Sequence, residues 1–250
     1  MKLQRIRTLS AIAVFSLVPC LLMLAACSTP HGEPQTDSET VAPSQVLAFE
    51  TLYAQNCAGC HGAQGRGGAA IALADPVYPA IVDETTMHNT VANGVRGTSM
   101  PAFAQRAGGM LTEPQIEAIT NGMFSRWGRK QVLDGANPPP YAAKAAGNVD
   151  HGQLVFGTYC ASCHVSGGGT PKGSAITNDS FLALVSDQAL RTIVITGRPE
   201  LGAPDWRGNV PGKPMSDQEI TDVVAWLASR RMQNPGQPYS ASNYAQHSEK

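Results

Sequence analysis

The chain has no cysteine to spare. Of six, Cys20 lies within an N-terminal apolar run and Cys27 follows it. The other four fall into two identical spacings, Cys57-Ala58-Gly59-Cys60-His61 and Cys160-Ala161-Ser162-Cys163-His164. No thiol is left for a disulfide framework or a lone reactive cysteine. An excess of positive charge is missing as well. Without residues 1–26, Lys+Arg falls from 18 to 15 against 19 Asp+Glu, a net charge of about −4. That balance gives no basic footprint for a nucleic-acid partner. Long apolar runs are also absent: the one candidate, Ala11 to Ala26, is short and is interrupted by Pro19, so it does not read as a membrane-crossing helix. Extended alternating runs are scarce, which argues against sheet and leaves an all-α class. What remains, with 15% charged and 42% apolar residues, is an ordinary globular composition long enough for one or two domains.

Lys2, Arg5 and Arg7 precede the apolar run, which is the layout of an export signal. Leu24-Ala25-Ala26-Cys27 resembles the bacterial lipoprotein box. That resemblance implies cleavage before Cys27 and a lipid on its sulfur; ordinary cleavage after Ala26 is the alternative. The expectation is an exported, membrane-anchored lipoprotein facing the periplasm or the extracellular side, held by acyl chains rather than by a spanning helix.

A shift of 103 residues superposes Cys57 on Cys160 and His61 on His164, then Tyr78 on Phe181, Val82 on Val185, Gly94 on Gly197 and Pro101 on Pro204. Such a period is too long for a solenoid and means two copies of one domain. After one inserted residue the register continues at 104, where Thr112-Glu113-Pro114-Gln115 meets Ser216-Asp217-Gln218-Glu219. Each is a capping box, a hydroxyl followed three residues on by Gln or Glu. Helices are expected from about Glu113 to Trp127 and Asp217 to Arg231, with Ile116, Ile119 and Met123 matching Ile220, Val223 and Leu227 on one face. Shorter helices are expected near Val46 to Cys57, Asn148 to Cys160, Thr85 to Asn93 and Asp187 to Thr196. The organisation is then a signal peptide over 1–26, a polar tether over 27–44, a first domain over 45–128, a Pro-rich linker over 129–147, a second domain over 148–232 and a tail over 233–250.

A C-x-x-C-H run in an exported chain is the attachment signature of c-type haem. Both thiols join one porphyrin and the adjacent histidine faces its iron. Zinc would need four ligands, and neither copy has a second pair nearby. A thioredoxin-like disulfide would need a β-α-β setting, which is not apparent. Two covalently bound haem c groups are therefore expected, held by Cys57, Cys60 and His61 and by Cys160, Cys163 and His164.

Each repeat resembles a class I cytochrome c domain, with a helix into C-x-x-C-H, a Gly-rich loop, short helices, a distal methionine loop and a closing helix. The pair resembles dihaem cytochromes c that carry electrons in bacterial respiratory chains, with redox donor and acceptor complexes as partners. In that family the sixth iron ligand is a methionine in a loop close to G-x-x-M-P, and Gly97-Thr98-Ser99-Met100-Pro101 fits it. His/Met ligation raises the reduction potential relative to His/His. Met87, Met110 and Met123 fit core filling better. His88 aligns with Arg191 and lies in an expected surface helix; it reads as structural or exposed, as do His31, His151 and His247. Arg66 and Lys172 are candidates for haem propionates or plain surface charges. Trp127, Trp206 and Trp226 either line the haem or pack helices.

The second repeat departs from the pattern where the first carries Met100, because Gly202-Ala203-Pro204-Asp205-Trp206 puts Ala203 there. Met215, twelve residues further on, is near enough to replace the ligand, at ~3.3 Å per residue of loop. It also sits directly before the Ser216 box, where Leu111 precedes Thr112, as a hydrophobic staple onto Ile220. Two readings stay open: Met215 as a displaced iron ligand, or an iron with an open or water-bound distal side. The function expected is single-electron carriage, without catalytic residues. The alternatives are a dihaem oxidoreductase, peroxidase-like or oxidising sulfur compounds, that uses an open second iron, and a fixed subunit of a quinol-oxidising or terminal oxidase assembly.

Overall fold

The computed structural model describes residues 41–164 and 176–232. Cys27, the signal, most of the tether, Lys172 and the tail over 233–250 lie outside the described residues. The described residues from Pro43 onward form one compact unit. Among the described residues there is no β-strand, only the isolated bridges Ala104 to Leu111 and Arg198 to Ala203.

The first repeat contains α1 (Phe49–Asn56), α2 (Ala58–His61), α3 (Tyr78–Ile81), α4 (Glu84–Asn93) and α5 (Glu113–Trp127). The second contains α6 (Val149–Tyr159), α7 (Asp179–Leu184), α8 (Asp187–Thr196) and α9 (Asp217–Ser229). Both expected capping boxes form. The Thr112 N–H donates to Gln115 Oε1 at 3.0 Å and the Ser216 N–H to Glu219 Oε2 at 2.9 Å. Caps also fix the starts of α4 and α8: the Thr86 N–H donates to Asp83 Oδ1 at 2.7 Å, and the Ala189 N–H to Ser186 Oγ at 3.1 Å. The closing helix α9 ends at Ser229, two residues before the expected Arg231, whose guanidinium instead turns to the carbonyls of Leu182 and Val185.

In each repeat the first and last helices pack together, α1 on α5 and α6 on α9, and the helix before the last packs beside them. This is how the apolar faces read from sequence are spent. Ile116, Ile119 and Met123 lie in one core with Leu52, Tyr53, Met87 and Val91; Ile220, Val223 and Leu227 lie in the other with Val155, Phe156 and Leu190. Helix α4 is a surface helix with one buried stripe: Met87, Val91 and Ala92 face the core, His88 is half-buried, and Glu84, Thr85, Asn89 and Asn93 are exposed. Arg191, the counterpart of His88 on α8, is 2% exposed.

That burial is made tolerable by the linker. Arg191 Nε donates to the carbonyls of Pro140 and Tyr141 at 3.1 and 3.0 Å, Nη1 donates to Thr221 Oγ1 at 3.0 Å, and Nη2 pairs with Asp217. A buried guanidinium with its donors satisfied ties chain segments together rather than costing its full desolvation. The same linker puts Tyr141 against the first core and Val132, Leu133 and Ala136 against the second. It is a packed seam between the repeats, more than the stiff spacer that Pro138-Pro139-Pro140 suggests.

Candidate haem sites

Both C-x-x-C-H runs adopt one and the same helical turn. The Cys60 and His61 N–H groups donate to the Cys57 carbonyl at 3.2 and 3.0 Å; those of Cys163 and His164 donate to the Cys160 carbonyl at 3.1 and 2.9 Å. Each turn follows directly on a helix that ends at its first cysteine, α1 and α6. The four motif cysteines are not in disulfides. Burial, then the neighbouring Cys60, pushes the Cys57 thiol up to about 11; burial, then Cys163, pushes Cys160 up to about 12.

His61 is buried, and its Nδ1 lies 2.9 Å from the Ile71 carbonyl oxygen. A carbonyl only accepts, so Nδ1 carries the hydrogen and Nε2 keeps the lone pair that a metal needs. Burial holds the imidazole below its ordinary pKa and hence neutral. Two thiols on one turn beside a neutral, oriented imidazole fit a covalently attached haem, and the described residues contain no cluster of three or more His, Cys, Asp and Glu that could hold a metal ion in another way.

The distal loops can be compared residue by residue. In the first repeat the Val95 N–H donates to the Met100 carbonyl at 3.1 Å, and in the second the Arg198 N–H donates to the Ala203 carbonyl at 2.9 Å. Gly94 and Gly197 begin these loops at φ +67° and +71°, where only glycine is unstrained. A Cβ on Gly94 would lie 2.7 Å from the Met100 carbonyl oxygen, and one on Gly197 the same distance from that of Ala203. The register is therefore physical: Ala203 stands where Met100 stands. Met215 takes the place of Leu111. Its N–H donates to the Trp206 carbonyl at 2.9 Å, as that of Leu111 does to Phe103 at 2.8 Å, and both side chains are buried in the core of their own repeat. The Met215 sulfur lies 3.8 Å from Asn209 Nδ2.

The remaining candidates divide. Arg66 is exposed and donates from Nη2 to the Ala74 carbonyl at 2.7 Å. Trp127 meets Phe49 and Tyr53 edge-on at 5.6 and 5.2 Å, and Trp226 meets Phe156 at 4.6 Å, so both pack at helix crossings. Trp206 is buried, with the Arg207 guanidinium 4.7 Å from its ring centre. His88 pairs with Glu113 at 2.9 Å. His151 is not simply exposed, since its Nδ1 lies 2.7 Å from Oδ2 of the buried Asp222. Sequence reasoning missed Asp222 and Arg198, although each interrupts the repeat: they face Ala118 and Val95 in the other copy.

A family model described as cytochrome c oxidase, cbb3-type, subunit III matches the chain twice, over residues 44–121 and 147–227. The cbb3-type cytochrome c oxidase subunit CcoP of Azospirillum sp. (strain B510) is 32% identical over 135 residues, which are 50% of this chain and 40% of that protein. The subunit FixP of Sinorhizobium medicae is 29% identical over 135 residues, 48% of this chain and 38% of that protein. This chain thus spans about two fifths of the length of these oxidase subunits. The cytochrome bc1 complex cytochrome c subunit of Mycobacterium tuberculosis (strain H37Rv) is 25% identical over 214 residues, 82% of this chain and 70% of that protein. With two matches that together cover more than half of its residues, the chain belongs to the cbb3-type subunit III family of cytochromes c, with two covalently bound haem c groups.

Proposed function

We propose that the chain carries single electrons between a respiratory donor and an acceptor complex, working as a membrane-anchored cytochrome on the periplasmic or outer side of a bacterial membrane. The observation that carries this reading is the duplicated turn at Cys57 and Cys160, with His61 oriented through the Ile71 carbonyl. When bound, the haem groups supply the one-electron ferric and ferrous chemistry. The chain's residues do the rest. Cys57, Cys60, Cys160 and Cys163 fix each group as thioethers, and His61 and His164 offer the proximal nitrogen. Met100, in the loop closed by Val95, offers a soft thioether to the first group and so favours its reduced form. In the second repeat nothing at Ala203 plays that part, and Met215, buried in the register of Leu111, is assigned to the helix staple. The second distal side is thus open to water or a small ligand. Cys27 holds the lipid.

The test is a haem count and a redox titration of the purified protein. Two haems and two one-electron waves at unequal potentials are expected, and a single haem or a single wave overturns the reading. Processing sensitive to globomycin checks Cys27, since insensitivity removes the anchor. A second reading is favoured by the names of the relatives, all subunits of respiratory complexes: the protein is a fixed subunit of a quinol-oxidising or terminal oxidase assembly. Recovery in one stable complex from gently solubilised membranes supports it; recovery as a lone protein supports the free carrier.

A further inference from the structure

Among the described residues, the Arg198 side chain joins the distal loop of the second repeat to the loop after the first haem motif. Arg198 starts the distal loop of the second repeat, and its backbone is paired in both directions with Ala203, at 2.9 and 3.0 Å. Its guanidinium leaves the repeat altogether. Nη2 donates to the Gly68 carbonyl at 3.1 Å and Nη1 to the Ala70 carbonyl at 3.4 Å, both in the loop that follows the first haem motif. Nε donates to Glu200 Oε1 at 2.5 Å, and both side chains are largely buried, 14% and 18% exposed.

The receiving loop is not neutral ground. The Ala70 N–H donates to the Cys60 carbonyl at 2.9 Å, and the next residue, Ile71, is the one whose carbonyl orients His61. Arg198 therefore grips the peptide between a haem-attaching cysteine and the acceptor of the proximal histidine, while its own backbone frames the Ala203 position. The side chain of its counterpart Val95 has no donor to offer, so the first repeat has nothing equivalent at this position.

We propose that Arg198 is a positioning residue that latches the distal loop of the second haem site to the proximal loop of the first, so that the second repeat helps set the reduction potential of the first haem. It rests on the two-haem reading. A positive charge near the first site favours its reduced form, and a second-shell contact that stiffens the Ile71 carbonyl tunes the histidine. The ion pair with Glu200 lowers the net field, which makes the fork's hold on two carbonyls the distinctive contribution.

The experiment compares Arg198→Met and Arg198→Lys with the wild-type protein by redox titration and by amide hydrogen exchange of the segment 68–74. Arg198→Met is expected to lower the potential of the first haem and to speed exchange over 68–74 roughly tenfold, the effect of losing about 1.4 kcal/mol of local protection. Arg198→Lys, which keeps the charge and loses the fork, is expected to leave the potential lowered and the exchange fast. A first-haem potential unmoved in Arg198→Met, or 68–74 exchange at the wild-type rate in both variants, overturns the latch. A wild-type haem count below two overturns the two-haem reading instead, and the exchange comparison, which needs no second haem, still decides whether the loops are latched.

Discussion

Where the first and last helices of each repeat cross, the two copies solve one steric problem with opposite residues. In the first repeat the glycine is on the closing helix: a Cβ on Gly122 would lie 2.1 Å from the ring of Phe49. In the second it is on the opening helix, where a Cβ on Gly152 would lie 2.0 Å from the Asp222 carbonyl oxygen and 2.8 Å from Trp226 Cβ. Phe49 aligns with Gly152 and Gly122 with Trp226. What the repeats share is therefore a small residue against a large one, not an identity at either position. Two helices come close only if one gives up a side chain, and either can do so. Polar ties differ in the same manner. Gln115 Nε2 closes the first crossing through the carbonyls of Pro43 and Val46 at 2.9 and 3.1 Å, whereas Asp222 closes the second by accepting from the Asn148 N–H at 2.7 Å and Gln218 Nε2 at 2.8 Å, beside His151.

The most damaging way to break this comparison is Gly152→Ala. Its methyl would meet backbone, which cannot rotate away, and a loss of about 3 kcal/mol, the upper end for overpacking, is expected in thermal or denaturant unfolding. Asp222→Asn follows at about 2 kcal/mol, since it removes a buried charged acceptor. This substitution also has a pH signature. Burial pushes the Asp222 carboxyl upward, but hydrogen bonds from Asn148, His151 and Gln218 outweigh it and hold the carboxyl below its ordinary value. A lowered folded pKa gives stability that is fully present above the unfolded value, about 3.9, and is lost as pH falls through the folded one. Unfolding followed below about pH 4 should show this loss in the wild-type protein and a shallower slope in Asp222→Asn. Gly122→Ala comes third, at about 1 kcal/mol, because a ring can tilt where a carbonyl cannot. Met215→Leu should be the mildest, below about 1.5 kcal/mol, for it restores the residue that Leu111 already uses in the same register.

Much of this was legible in advance, for reasons that differ by residue. Helix α5 runs over the expected residues because Thr112 and Gln115 fix its start locally and a period-3.6 stripe fixes its face. The Cys57 and Cys160 turns were readable because three functional groups fall within five residues. Helix α4 keeps the expected surface position, with Glu84, Thr85, Asn89 and Asn93 exposed, but its mixed composition shows no strong stripe, and the face it buries depends on α5 arriving from outside its own sequence. Arg198 and the seam through Pro140 and Tyr141 were hidden for the same reason. Their partners are long-range backbone carbonyls, which carry no sequence signature. The repeat nevertheless marked the places to look, because Arg198, Arg191 and Asp222 all stand where the other copy has a residue of different chemistry.

The claim that the two haem sites differ on their distal sides, with Met100 in one and no thioether in the other, is tested most directly by adding carbon monoxide to the dithionite-reduced protein. The expected result is a carbonyl spectrum from one haem of the two, unchanged in Met215→Leu. A wild-type protein that binds no carbon monoxide, but gains one binding haem in Met215→Leu, would contradict it and return Met215 to the iron.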